Sequence, residues 1–321
     1  MRHNLNIIYI QQFVKRDNQR IYFTLALFCN RKRTVNKKKM ASDTKRISGP
    51  ESTPYHLSSR QKTQSYQEKL ATILEGGQRQ DKRKFEEARK IFLKLNVISK
   101  AKGSAYIEMG NTKVIVSVFD PREVANKQNN FNSNGELYCE FKFSPFATKR
   151  RAIKNDVAEK SLALSLKRAL LPAVCRYAFT NFQVDIYVNI IEDDGSVLAA
   201  AITAAGLAIS DAGIPMYDLV TATSVAIVDN QVLVDPTKDE EDVCTSVDLD
   251  QEHGLIVMSS LYTLEQVSEF WCCGLMSSKT VSRLTEVLRE HNKQIVPIIQ
   301  QILVNKVKNS IDQSENHKKS T

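Results

Sequence analysis

The sequence predicts an α+β domain in which helices lie on mixed β-sheets. Three observations carry this. The apolar patterns run in the order strands, helix, strand, helix, strands, helix. Leu137, Cys139, Phe141 and Phe143 alternate with polar neighbours, which marks a strand with one buried face. Between residues 197 and 212 lies an alanine-rich stretch whose small side chains suit a helix pressed closely onto a sheet. At 321 residues, with 42% hydrophobic and 25% charged content, the chain is long enough for one large domain or two moderate ones.

Order is expected to begin near Arg79–Arg89, after a polar arm at 40–78 whose composition favours disorder. Ser104–Met109 and Lys113–Phe119 read as a hairpin, turned at Gly110-Asn111. Asn126–Asn134, rich in Asn and Gln, reads as an exposed loop before the alternating third strand. Asn155–Leu171 reads as a helix. Val157, Leu162, Leu164, Leu166 and Leu170 form its broad apolar face, and Pro172 ends it. A strand over Phe182–Ile191 follows, and then the alanine-rich helix Val197–Ala212. Asp194 and Ser196 stand near the start of that helix and Gly213 at its end. Val220–Val228, Gln231–Val234, Gly254–Ser259 and Gln266–Cys273 read as further strands. Thr280–Val307 is a long amphipathic helix with a kink expected at Pro297, and a frayed polar tail occupies 308–321. The expected organisation is an arm over 1–78, one domain over 79–307 and that tail.

The net charge of +9 is confined to one end. Residues 1–39 hold ten Lys/Arg and one acid, so the remaining chain is formally neutral. Nucleic-acid contact by the folded part would therefore need a local basic patch rather than a global field. The leader reads as an upstream extension ahead of a start at Met40, with a mitochondrial presequence as the other reading. Its apolar run Ile21–Cys29 spans nine residues, too few to cross a membrane, and no membrane association is expected. Six cysteines form no C-x-x-C pair, and Cys272-Cys273 are adjacent. They read as reduced, mostly buried thiols, not as bridges or metal ligands.

Four stretches in register resemble the RNase PH family and the RNase PH-like subunits of the exosome ring. Arg79-Gln80-Asp81-Lys82-Arg83 with Glu87 and Arg89 is similar to the family's opening R-x-D-G-R…E-x-R, with Lys82 for the glycine. Gly103–Lys113 is similar to its first hairpin, Asp120-Pro121-Arg122-Glu123 to its G-P-R-E, and Asp211-Ala212-Gly213-Ile214-Pro215-Met216 to its D-A-G-I-P-M. The resemblance runs from Arg79 to Val307 and implies an RNase PH-like fold, related to ribosomal protein S5 domain 2.

It also implies a chemistry. Active members cleave RNA from the 3′ end by attack of orthophosphate on the terminal phosphodiester. Two anionic groups must meet, so the site needs cationic cover and helix amides. The family supplies these from a D-G-G-S/T-R turn. Here the turn reads Asp194-Gly195-Ser196-Val197-Leu198. In register with Asp211-Ala212, Val197 takes the place of the hydroxyl and Leu198 that of the arginine. No arginine stands anywhere in Asp194–Asp211. By analogy with lost oxyanion donors, removing such a clamp costs roughly 3–4 kcal/mol of transition-state stabilisation. Asp239-Glu240-Glu241-Asp242…Asp248 is similar to the family's E-D-x₅-D, with Asp248 on the catalytic aspartate position and Ser246 replacing the carboxylate two residues before it. An acidic run of this kind more often forms a solvated loop, and Asp248 reads as a relic. The degenerate site is thus Ser196, Val197, Leu198 and Asp248, with no catalytic residue.

Expected in its place is a non-catalytic ring subunit that helps form a channel and guide single-stranded RNA for 3′→5′ processing. The alternative is an active phosphate-dependent 3′→5′ exoribonuclease. Arg122, Lys127, Lys149, Arg150 and Arg151 are the candidate RNA-facing bases, suited to backbone phosphates without sequence readout. Solvated turn charges, or ion pairs to a neighbouring subunit, remain the other reading of those bases. The resemblance implies no cofactor. It implies as partners other RNase PH-like exosome subunits in a hetero-oligomeric ring, RNA-binding cap subunits, an associated exoribonuclease and single-stranded RNA. The expected location is the nucleus and nucleolus, and also the cytoplasm.

Overall fold

The computed structural model describes residues 79–123, 133–148, 156–228, 231–245 and 252–319. The leader and arm over 1–78, most of the Asn/Gln loop, Lys127, Lys149, Arg150, Arg151, Ser246 and Asp248 lie outside them.

Among the described residues, two sheets and four α-helices make up the domain. The first sheet has the order β1 (Ile91–Leu95), β2 (Gly103–Met109), β3 (Thr112–Val118), β5 (Gln183–Glu192), β4 (Glu136–Phe143). It is mixed: β4 runs parallel to β5, with Leu137 beside Val184, and the other pairs are antiparallel. The second sheet is antiparallel in the order β7 (Gln231–Val234), β6 (Val220–Val228), β8 (His253–Leu261), β9 (Gln266–Leu275). Between the sheets lie α1 (Asp156–Leu170) and α2 (Val197–Asp211). The short α3 (Lys238–Cys244) and the long α4 (Ser278–Lys319) also pack on the second sheet.

Composition decides these layers. Every residue of α2 from Val197 to Ile209 is buried, because the helix faces sheet on two sides. Alanines and glycines make that fit. A Cβ on Gly103 of β2 would lie 2.3 Å from the Ala208 carbonyl oxygen of α2, so strand and helix backbones touch. β6 is buried at all nine positions. Its Val220 and Ala222 meet the α2 core, whereas Val225 and Ile227 meet Leu284 and Leu288 of α4. Hence β6 carries small or β-branched side chains on both faces, Thr221, Thr223 and Ser224 among them, while β3 alternates over its first four positions.

The hairpin, the third strand and both central helices stand where the sequence predicts them. Three differences have physical causes. β1 is short and pairs with β2 through a lysine-bearing segment that the pattern hides. On α1, Val157 and Leu164 are 58% and 52% exposed, so the core-facing stripe is narrower than the sequence suggests. The last helix does not fray at Lys308 but continues to Lys319, passing through Pro297. Its residue Lys306 forms an ion pair with the buried Asp211 at the end of α2, which ties the end of α2 to the flank of this helix.

Candidate functional site

The turn from β5 into α2 is the segment that resembles a phosphate cradle. Gly195 at φ +84° and Ser196 at φ +57° are both left-handed, and together they swing the chain from the strand into the helix. The turn is pinned from outside. Thr112, at the start of β3, donates its hydroxyl to the Gly195 carbonyl at 2.8 Å. Arg89 donates to the Asp194 carbonyl at 2.9 Å and to the Gly195 carbonyl at 3.2 Å.

Arg89 belongs to a larger lock. Its guanidinium is bidentate on Asp235, with Nε–Oδ2 at 2.8 Å and Nη2–Oδ1 at 2.7 Å, and its backbone N–H donates to the same carboxylate at 2.9 Å. Burial pushes the Asp235 carboxyl up, but the Arg89 hydrogen bonds and charge outweigh it and hold it below the ordinary 3.8. Arg79, 2% exposed, is bidentate on Glu240 at 2.9 and 2.7 Å and donates to the Val234 and Asp235 carbonyls. Glu240 in turn accepts from the Thr237 N–H at 2.8 Å in a capping box that starts α3.

This corrects the reading of Asp239–Asp242 as a solvated loop. The run forms α3 because Thr237 caps it and three acids occupy its first turn, where the helix dipole favours them. The opening arginines are similarly not free cations. Their spacing was visible in the sequence, but their partners lie up to 161 residues away. The available signal was physical: arginine is almost never fully buried unpaired.

What remains at the cradle has the wrong chemistry for an anion. Val197 and Leu198 are 8% and 6% exposed and belong to the core between the sheets. The Ser196 hydroxyl makes no cap bond. It donates to the Pro236 carbonyl at 3.1 Å and accepts from the Ser224 hydroxyl at 2.7 Å. The Ser196 N–H donates to Glu241 at 2.7 Å, so a carboxylate already sits at this helix start. Asp193 and Asp194 flank it, and Lys238 answers with a 3.6 Å pair to Glu241. Among the described residues no group of three or more His, Cys, Asp or Glu is placed to hold a metal.

Burial pushes the Glu241 carboxyl up to about 7, against the pull of Lys238 and the Ser196 N–H. Below its ordinary 4.5 the carboxyl is protonated in both folded and unfolded chains. Between 4.5 and about 7 only the unfolded chain ionises, so stability falls as pH rises; above 7 it is level. Glu241→Gln keeps an acceptor for Ser196 and should remove this slope, on the order of 2 kcal/mol. Urea unfolding of both proteins at pH 5 and pH 8 checks it; parallel pH profiles would refute it.

Arg122 lies elsewhere. Its N–H and carbonyl pair with Gln183 at 2.9 Å each, and its Nε forms an ion pair with Asp185 at the beginning of β5. The cradle follows the far end of that strand, about 26 Å away at the usual strand rise. Of the RNA-facing candidates Arg122 alone lies among the described residues, and the structure does not bring it to the cradle.

Comparison with known proteins agrees with this architecture. The 3′ exoribonuclease family domain 1 model matches residues 87–215, and the domain 2 model matches residues 218–250. An exosome component Rrp41 homolog of Arabidopsis thaliana is 34% identical over 229 residues, which are 68% of this chain and 95% of that protein. Exosome component mtr3 of Schizosaccharomyces pombe is 34% identical over 69% of this chain and 85% of its own. Human MTR3 is 38% identical over 48% of this chain and 62% of its own. These two accord with the motif combination Asp194–Leu198, Met216–Val220 and Val234–Thr237, which resembles most the exosome subunit named mRNA transport regulator. Among solved structures, rice (Oryza sativa) Rrp46 superposes with TM-score 0.58 at 23% identity over 69% of this chain and 98% of its own. An Archaeoglobus fulgidus exosome with RNA bound to the active site does so with TM-score 0.59 at 24% identity, over 72% and 96%. A two-sheet domain with this strand order, a matching pair of family models and relatives above 30% identity place the chain in the RNase PH family of 3′ exoribonucleases.

Proposed function

We propose that this chain is a non-catalytic ring subunit of an RNA exosome, where it helps form the channel that guides single-stranded RNA. One observation carries the reading: Leu198, at the position of the family's phosphate-holding arginine, is buried in the core at the first turn of α2. A buried leucine offers no charge to orthophosphate. Around the turn Glu241, Asp193 and Asp194 add negative charge, Lys238 is paired with Glu241, and Arg89, which reaches the turn's carbonyls, is committed to Asp235. Orthophosphate and an RNA terminus would meet there without cationic cover. The relatives named above, exosome components by their descriptions, support the ring assignment. RNase PH-like ring neighbours, RNA-binding cap subunits and an associated exoribonuclease are the partners proposed, in nucleus, nucleolus and cytoplasm.

The purified chain, incubated with single-stranded RNA, phosphate and magnesium, should release no nucleoside diphosphate. Release that Asp248→Ala abolishes would establish the phosphate-dependent exoribonuclease instead.

A further inference from the structure

The five-stranded sheet packs one face on α1 and α2. At the β4–β5 edge of its other face, side chains form a small constellation that the degenerate phosphate cradle does not use. Tyr138, 45% exposed, stands beside Asp185 in the β4–β5 register. Its ring lies 6.3 Å from that of Tyr187, edge to face, and Tyr187 lies 5.6 Å from Phe119 in the same manner. Arg122 borders this cluster. Two backbone hydrogen bonds to Gln183 fix its position, and Asp185 holds its Nε. Asp185 is itself braced by the Gln183 side-chain amide at 2.6 Å.

The layering of charge matters. The Asp185 side chain is 3% exposed, whereas that of Arg122 is 61% exposed. Solvent therefore meets the outer guanidinium N–H groups and the Tyr138 ring, with the balancing carboxylate beneath. An oriented guanidinium next to an exposed ring is the arrangement that receives a phosphate and the base attached to it.

We propose that Tyr138 and Arg122, backed by Tyr187 and Phe119, form a docking point for one nucleotide of single-stranded RNA, the base on the Tyr138 ring and a phosphate on Arg122. The proposal rests on the RNA-guiding reading above. Two features favour RNA over a protein surface. The aromatic area is small, and on the strands between it and the other ring pair on this face, Phe92–Tyr106 of β1 and β2, Tyr187 is followed by polar Ser117 and Asn189, with Ile115 beside Tyr106. A stable protein interface wants a broader continuous patch, of about 800 Å² per partner. In sequence, moreover, β4 is the strand between Lys127 and Lys149-Arg150-Arg151, the other bases suited to phosphates.

The test uses particles purified from cells whose only copy of this chain is tagged and full length, probed with a 5-bromouridine-substituted single-stranded oligoribonucleotide. Irradiation should crosslink RNA to the β4 segment. Tyr138→Leu should weaken binding about tenfold, and Tyr138→Phe should retain it, since stacking needs the ring and not the hydroxyl. Copurification of the wild-type chain with RNase PH-like subunits reads the functional assignment separately; if it fails, both fall. If the particle forms but Tyr138→Leu binds RNA as wild type does, or the crosslinks avoid β4, the docking point is overturned and the ring assignment stands. If Tyr138→Leu does not enter the particle, the face is a subunit contact and the docking point is likewise overturned.

Discussion

Arg89→Ala should lower the stability of the domain by about 3–5 kcal/mol, the scale for breaking a buried ion pair from one side. The loss is not merely that of two side-chain hydrogen bonds. Asp235 is 4% exposed and would keep its charge with the backbone N–H of residue 89, the more distant Arg83 at 3.8 Å and neighbouring dipoles to hold it. The Asp194 carbonyl would lose its bond from Arg89 as well, and the Gly195 carbonyl one of its two donors, keeping Thr112. Arg89→Lys should rescue little, because an ammonium cannot make the bidentate pair and reach both carbonyls at once. The linkage has a defined sign. With the Asp235 carboxyl held below 3.8 in the folded chain, the pair's contribution is present above that value and fades as pH falls through the folded one. Urea midpoints for wild type and both variants at pH 7, beside Lys102→Ala, whose ion pair with Asp120 is exposed on both sides, as the control, measure this. A loss under 1 kcal/mol for Arg89→Ala would show that the lock is not what holds these segments.

Gly195→Ala should be similarly costly, by several kcal/mol, for two additive reasons. At φ +84° an alanine is strained by roughly 1 kcal/mol. A Cβ there would also lie 2.5 Å from the Pro236 carbonyl oxygen and 2.6 Å from the Thr237 carbonyl carbon, both backbone atoms that do not yield. The turn must retreat from Pro236, which separates Ser196 from the Pro236 carbonyl and from Glu241. Gly213→Ala is the control. It carries the same kind of strain at φ +73° but meets nothing within 4 Å, so it should cost only the conformational part. Equal losses for the two variants would refute the close-approach argument.

The parts of the fold legible in the sequence are those in which one face of an element is dry and the other wet. Leu137, Cys139, Phe141 and Phe143 announce β4, because period-two alternation has few other meanings. Val220–Val228 was legible differently, from its valines, isoleucine and threonines, β-branched side chains over a strand's length, although both of its faces are dry. α3 was not. Seven residues with four acids look like solvated chain, and what makes them a helix is Thr237 at one end and Arg79, 161 residues earlier in the sequence, at the other side of the ion pair. Of the site, Val197 and Leu198 could be placed by register, and their burial follows from α2 being covered on both sides. That Glu241 would sit on the Ser196 N–H could not be read, since nothing local links position 196 to position 241. Arg122 was singled out for its charge, but its brace on Asp185 and its aromatic neighbours depend on strand register across β4 and β5, which only the assembled sheet defines.

The same lock constrains how the chain comes to be folded. Arg79 and Arg89 leave the ribosome long before Asp235 and Glu240 do. At about 5–20 residues per second the interval between Arg79 and Glu240 is roughly 8–30 s. Through that time the first hairpin can close on itself, but the segment ahead of β1 has no Asp235 or Glu240 to receive it, and for the first part of it β3 also lacks β5 at its side. The arginines must stay hydrated, and the sheet edge stays open, until the second half arrives. Completion is therefore a late, long-range closure, of the kind that slows folding and leaves nascent chains reliant on holding factors.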